Sequence, residues 1–166
     1  MPLLTLAAGV AVADGIEAAT GLAVDLKWPN DVMAGARKLG GILAEAATRS
    51  VVLGIGINVH PAAYPPEIAL RATSLEAELG RQVDRGAVLI ACLEALERRY
   101  RELDERQDVL VAWRRRAARL MRRRVTFETV TGAASGLAYD VDETGALLVK
   151  TETGVAKVIS GEVTWS

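Results

Sequence analysis

Lys27, Asn30, Asp31 and Lys38 stand close together in the chain, and the glycine-studded runs Lys38-Leu39-Gly40-Gly41-Ile42-Leu43 and Gly54-Ile55-Gly56-Ile57-Asn58 follow directly. The two lysines supply fixed positive charge, the amide and carboxylate supply hydrogen-bonding groups, and glycines leave strand backbone bare. Such a set suits an anion. A carboxylate or phosphate would be held by ammonium groups while the rest of the ligand lies flat on uncovered backbone.

Strand alternation sharpens this reading. Over 51–59, Val51, Leu53, Ile55, Ile57 and Val59 project to one face, and Val52, Gly54, Gly56 and Asn58 to the other. The first face is an apolar surface for helices. The second is nearly naked backbone ending in an amide, although glycines could equally serve to let a helix approach closely. Lys38 follows the Gly35-Ala36 turn, where a lysine can reach an anion or simply be solvated. Lys27 lies between Leu26 and Trp28 in a strand expected to be buried, where an unpaired ammonium is costly. Asp25, Asp31 or a bound anion must compensate it. With Gly35 at the turn, Val32 pairs with Lys38 and Lys27 falls near Leu43, so a straight hairpin would hold the lysines roughly 16 Å apart. They converge only if the chain bends at Pro29-Asn30-Asp31. Asn30 and Asp31 then brace the bend, or hold a magnesium-bound phosphate.

The elements that must position these groups can be traced from periodicity. Leu3, Leu6, Val10 and Ala13 predict a helix over 3–20 ending at Gly21. Residues 23–28 alternate as a strand that Pro29 ends. Val32–Ala34, Gly35-Ala36 and Arg37–Ala47 read as a hairpin, and 51–59 is apolar and β-branched enough to be a central strand. Thr73 and Glu76 have capping-box spacing for a short helix closed by Gly80. Asp84 caps a long helix with Leu89, Cys92, Leu93, Leu96, Tyr100 and Leu103 in one stripe. Asp108 starts another, with Leu110, Trp113, Ala117, Leu120 and Met121 inward. From Arg122 onward, short β-like runs between glycines predict a small barrel of about 45 residues.

Length and composition bound the possibilities. With 166 residues, 51% hydrophobic and 25% charged, the chain can build one moderate core, or one core and a small module. A net charge of −1 gives no argument for nucleic acid or an anionic membrane. The single cysteine, Cys92, excludes an internal disulfide and fits a reducing cytosol. No apolar run is expected to approach the roughly 18 residues of a spanning helix, so the expectation is a soluble, cytoplasmic protein. His60 has no second histidine or cysteine nearby, so no metal site is expected. Seven arginines within 114–124 are expected to form a solvated helix face, balanced by Glu94, Glu97, Glu102, Asp104, Glu105 and Asp108.

Lys-Trp-Pro-Asn-Asp at 27–31, Arg-Lys-Leu-Gly-Gly-Ile-Leu at 37–43 and Gly-Ile-Gly-Ile-Asn-Val at 54–59 together resemble the successive motifs of biotin–protein ligases. The likeness continues through Ala72-Thr73-Ser74-Leu75, Gly145-Ala146-Leu147-Leu148-Val149 and Ser160-Gly161-Glu162-Val163. The resemblance implies an α+β fold: residues 1–118 as the latter part of a class II synthetase-like catalytic domain with a mixed sheet, and 122–166 as an SH3-like barrel. It implies ATP with Mg2+ and biotin as ligands, biotinyl-5′-adenylate as intermediate, and a lysine of a biotin carboxyl carrier domain as acceptor.

Carried over residue by residue, Lys38 would be catalytic, neutralising the biotin carboxylate and the α-phosphate. Gly40, Gly41 and Leu43 would line the biotin site, Gly56 and Asn58 would meet the adenylate, and Lys27, Asn30 and Asp31 would shape the phosphate side. The family's Gly-Arg-Gly-Arg-type loop has no counterpart in residues 1–26; the first arginine is Arg37. Activity is therefore expected to be incomplete in this chain, and an open sheet edge to favour homodimers. No helix-turn-helix is expected, hence no DNA. The rival readings are a non-catalytic binding or dimerisation module and a lipoate-type acyl ligase.

Overall fold

Helix α1 (Pro2–Thr20) is apolar on nearly its whole circumference, with Leu6 through Ala13, Gly15 and Ile16 all buried. A helix of that kind belongs inside a protein core, and the rest of the chain is built around it. The expected 3–20 helix is thus correct, but the expectation that no apolar run reaches spanning length is not. By length and composition α1 could cross a bilayer; 61% of its most apolar stretch is instead buried within the fold. The computed structural model describes residues 2–62, 64–104, 106–130, 132–159, 161 and 163–166.

Strands β1 (Asp25–Lys27), β2 (Asp31–Ala34), β3 (Arg37–Ala46) and β4 (Val51–Ile57) form one sheet in that order. All three ladders are antiparallel. The expected mixed character is confined to a parallel bridge between Lys38 and Ala72. Leu26, Val32, Leu39 and Ile42 are buried and join α1 in the core, leaving the intervening residues on the open face. Gly35 takes φ 59° at the β2–β3 turn, a conformation only glycine adopts easily.

Beyond β4 come the short helices α2 (Pro66–Ala69) and α3 (Leu75–Leu79), then α4 (Arg85–Arg101) and α5 (Arg106–Ala117). The cap of α3 is Ser74, whose hydroxyl accepts from the Ala77 N–H at 3.3 Å, with Gly80 left-handed at the end. The expected Thr73/Glu76 capping box does not form. Thr73 instead donates its hydroxyl to Glu78, and Glu76 accepts from the Val83 N–H and pairs with His60. Asp84 caps α4 as expected.

Helices α4 and α5 both pack on α1. Gly15 of α1 lies so close to the backbone of Cys92 that a Cβ there would overlap it. An ion-pair cluster ties the three helices: Asp14 accepts from Arg99 at 2.8 Å and Arg116 at 2.9 Å, and Arg116 also reaches Glu17. Burial alone would push the Asp14 carboxyl up, but Arg99 and Arg116 outweigh it and hold the group below its ordinary range.

The inward face of α4 is Val88, Cys92 and Ala95. The expected stripe is rotated: Leu89, Leu93 and Tyr100 are more than half exposed. The expectation of a central β4 also fails. Strand β4 is the outer strand of its sheet, and Val51, Val52 and Ile55 are exposed. Leu53, Ile55 and Ile57 of β4, with Val59 just beyond it, line a groove of about 390 Å³ with α4, and Leu53, Ile57 and Val59 are only partly covered against the core. Strong apolar character therefore reflects a surface here, not a covered interior.

The C-terminal part is a five-stranded antiparallel sheet in the order β8-β7-β6-β5-β9, consistent with a small SH3-like barrel. Its strands are β5 (Arg124–Thr129), β6 (Gly132–Val141), β7 (Leu147–Thr151), β8 (Gly154–Val158) and β9 (Val163–Trp165). Val125, Phe127, Ala138, Val141, Leu147 and Val149 fill it. Asp142 organises the β6–β7 turn, accepting from the backbone of Thr144 and Ala146 and pairing with Lys157. Burial opposes its ionisation, but these partners hold the carboxyl well below its usual range. Ser160 and Glu162 of the last motif lie outside the described residues.

Candidate functional site

The chain does bend at residues 28–31. A turn after β1 returns the backbone onto β2, so that Lys27 stands opposite Asp31. Asn30 locks this turn against β3: its amide donates to the Ile42 carbonyl at 2.7 Å and its own carbonyl accepts from the Ile42 N–H at 2.9 Å. The Trp28–Pro29 peptide is cis. Asp31 in turn lies opposite Gly41, and a bulge between Val32 and Met33 brings Met33, not Val32, opposite Lys38. The straight hairpin, with Lys27 opposite Leu43, is not formed.

Lys38 makes an ion pair with Asp31 across the β2–β3 ladder. Its backbone is gripped from the other side, with its N–H donating to the Arg71 carbonyl at 2.7 Å and its carbonyl accepting from Thr73 at 2.9 Å. Lys27 is only half-buried, contrary to expectation, and makes no ion pair among the described residues. The two acids expected to compensate it are engaged elsewhere, Asp31 with Lys38 and Asp25 with Arg119. One ammonium is therefore held in place and the other is free for an anion.

Glycines form the wall between them. Gly41 pairs with Gly56 and Gly40 with Ile57. A Cβ on Gly41 would stand 3.4 Å from Cε and 3.5 Å from Nζ of Lys38, whereas one on Gly56 would meet nothing within 4 Å. Asn58 ends the strip, its backbone N–H on Leu39 and its side-chain amide donating to the Thr73 carbonyl at 3.0 Å. One N–H of the side-chain amide is thus committed to the fold, and its second N–H and its oxygen remain for a ligand.

Lys27, Asp31, Lys38, Gly40, Gly41, Gly56 and Asn58 all line one cleft of about 680 Å³. Asn30 and Leu43 do not. They border a second, smaller cavity of about 360 Å³ with Trp28, Ile42, Thr5 and Leu6, beside the start of α1. Sequence reasoning passed over Tyr64, Ile68 and Arg71, which close the larger cleft. Arg71 directly precedes the Ala72-Thr73-Ser74-Leu75 motif, and that adjacency was the available signal. Its guanidinium donates to the carbonyl of Glu67, in the first turn of α2, at 3.1 Å.

Residues 1–61 match the Biotin/lipoate A/B protein ligase family, and residues 123–164 match the Biotin protein ligase C terminal domain. The chain is 32% identical to a biotin–[acetyl-CoA-carboxylase] ligase of Paracoccus denitrificans, over 96% of this chain and 71% of that protein. The chain belongs to the biotin–protein ligase family.

A bifunctional ligase/repressor of Bacillus subtilis is 38% identical over 98% of this chain and 52% of its own length. This ligase-family chain therefore spans about half of that relative. The Aquifex aeolicus biotin protein ligase, solved in complex with biotin and ATP, superposes with a TM-score of 0.88 at 29% identity, covering 100% of this chain and 72% of that one. Its fold agrees with the α+β expectation in both the helix-backed sheet and the terminal barrel.

Proposed function

We propose that this chain carries the Lys38 side of a biotinyl-adenylate site. In the reaction, the biotin carboxylate attacks the α-phosphorus of ATP, pyrophosphate leaves, and biotinyl-5′-adenylate forms. A lysine amine of a biotin carboxyl carrier domain then attacks the acyl carbon; the new C–N bond displaces AMP and the amine loses a proton. The observation that carries this reading is the glycine-walled cleft with one lysine pinned by Asp31 and a second lysine free.

The physical logic is charge. Two anions must meet in the first step, and a fixed cation beside them lowers the barrier without reorganising. Lys38 is assigned that catalytic role, with Asp31 positioning it. Lys27 would take a phosphate, Gly40, Gly41 and Gly56 would give the ligand backbone contact, and Asn58 would accept from the adenylate. Asn30 and Leu43, beside the smaller cavity, would border the biotin end.

Mg2+ would arrive with the nucleotide. There it would be held mainly by phosphate oxygens and water. The reading divides the chain near residues 118–122, between the end of α5 and the start of β5. It places the protein in the cytoplasm, and its open β4 edge as the surface through which homodimers form.

The test is incubation of the purified chain with biotin, ATP and Mg2+, with adenylate read by mass spectrometry and by pyrophosphate–ATP exchange. Adenylate should form, and Lys38→Ala should reduce its rate about 100- to 1,000-fold. A second reading, a binding module without turnover, is favoured by the open cleft and uncovered β4. It would be supported if the chain binds biotinyl-5′-AMP but makes none. Preference for lipoate over biotin would defeat both.

A further inference from the structure

Of the seven arginines within 114–124, two are structural. Arg116 is buried in the Asp14 cluster, and Arg114 donates to Asp140 at 2.7 Å and to the Val141 carbonyl at 2.8 Å, joining α5 to β6. The other five, Arg115, Arg119, Arg122, Arg123 and Arg124, are all exposed. Of the acids expected to balance them, two are engaged elsewhere: Glu97 pairs with Arg101 and Glu102 with Arg99. Among the described residues the only ion pair of the five is a long one, Arg119 to Asp25 at 3.9 Å. In a chain of net charge −1 this is a segregated basic strip, not a neutralised helix face.

The placement of the strip is specific. Arg115 lies in the last turn of α5 and Arg119 in the turn just beyond its end, and Arg122 to Arg124 continue beside β6, where the Arg122 N–H donates to the Ala138 carbonyl and the Arg123 carbonyl accepts from the Ala138 N–H. Arg119 reaches Asp25 of β1. Asp25 is two residues from Lys27, on the same face of that strand, and Lys27 lines the candidate cleft. The strip therefore runs from the terminal barrel to within one strand step of the site.

We infer that Arg115, Arg119, Arg122, Arg123 and Arg124 form the docking surface for an acidic face of the protein acceptor, holding it so that its lysine enters the cleft past Lys27. This rests on the reading of the cleft given above. Guanidinium groups suit carboxylates, which they grip in bidentate fashion. Unpaired rim charges act mainly by steering the encounter and are sensitive to salt.

The experiment uses fluorescence anisotropy of a labelled apo biotin carboxyl carrier domain, titrated with the purified chain at low and high salt. Binding of biotinyl-5′-AMP is measured separately by calorimetry. R115E/R119E/R123E should weaken carrier binding about tenfold or more at low salt and flatten its salt dependence. Its melting temperature and its affinity for biotinyl-5′-AMP should be unchanged, and R115K/R119K/R123K should keep most of the carrier affinity. Equal carrier binding by wild type and the charge-reversed variant overturns the docking surface, with the functional reading intact if biotinyl-5′-AMP still binds. Failure of the wild-type chain to bind biotinyl-5′-AMP removes both. Tighter binding of a short DNA duplex than of the carrier domain, lost in the same variant, overturns the assignment in favour of nucleic acid.

Discussion

The indole N–H of Trp28 donates to the carbonyl of Gly145 at 3.0 Å, both residues being buried. The turn that sets Lys27 beside Asp31 is thereby fastened to the β6–β7 connection of the terminal barrel. Trp28→Phe keeps most of the packing but strands the carbonyl, and should cost about 1–3 kcal/mol in chemical denaturation. Trp28→Ala should cost about 3–5 kcal/mol. If the phenylalanine variant were as stable as wild type, the tie would contribute nothing.

Gly40 and Gly56 separate stability from binding. A Cβ on Gly40 would overlap the Gly56 carbonyl oxygen, whereas one on Gly56 projects into open cleft. Gly40→Ala should therefore destabilise the fold by about 2–3 kcal/mol. Gly56→Ala should leave stability within about 1 kcal/mol of wild type yet weaken biotinyl-5′-AMP binding. Denaturant melts and calorimetry on the two variants give the comparison, and identical behaviour of both would count against the proposed ligand strip.

Asp14 sets a pH dependence. Its carboxyl lies below its ordinary range in the folded protein, through Arg99 and Arg116 acting against burial. A depressed value contributes stability above the unfolded-state pKa of about 3.9, and that contribution is lost as pH falls through the folded value. Stability should thus drop below about pH 4. Asp14→Asn should be about 1–3 kcal/mol less stable at neutral pH, because Arg116 keeps only Glu17 and Arg99 only Glu102 as charged partners, and should lose less on acidification. Asp142, also depressed, accounts for part of the slope that remains. A variant with the wild-type acid profile would remove Asp14 from this role.

The outer edge of β4 should self-associate. Val51, Val52 and Ile55 are exposed on a seven-residue strand with no partner on its far side among the described residues. Unprotected edges of that kind pair with one another. Light scattering should show species larger than a monomer at high concentration, and V52K/I55K should shift them toward monomer. A clean monomer for the wild-type chain would contradict this.

Much of the cleft was legible because strand alternation is a rigid rule. Once Gly54, Gly56 and Asn58 fall on one parity they must share a face, and Gly35-Ala36 fixes the hairpin that puts Lys38 opposite β2. The convergence of Lys27 with Lys38 was not legible, since it depends on a turn at 28–30 and a bulge at Val32/Met33, neither of which has a periodic signal. Apolar richness misplaced β4 in the sheet interior and rotated the inward face of α4. Composition reports that a surface wants covering, not whether a neighbour within the described residues covers it. The arginines show the converse: Arg114, Arg115 and Arg116 are adjacent in sequence, and only tertiary packing makes one a buried keystone, one a strut and one a free charge.

Helix α1 has a temporal consequence. Its covering partners α4 and α5 end at Arg101 and Ala117, so the residues that bury it are translated up to about a hundred positions later. At roughly 5–20 residues per second, that interval is roughly 5–20 seconds. Through most of it, the nascent chain displays an apolar helix of membrane-spanning length that the early sheet strands cover on one side and α4 and α5 do not yet cover on the other. The helix at the centre of the finished protein is thus the segment most in need of chaperone shelter while the chain is being synthesised.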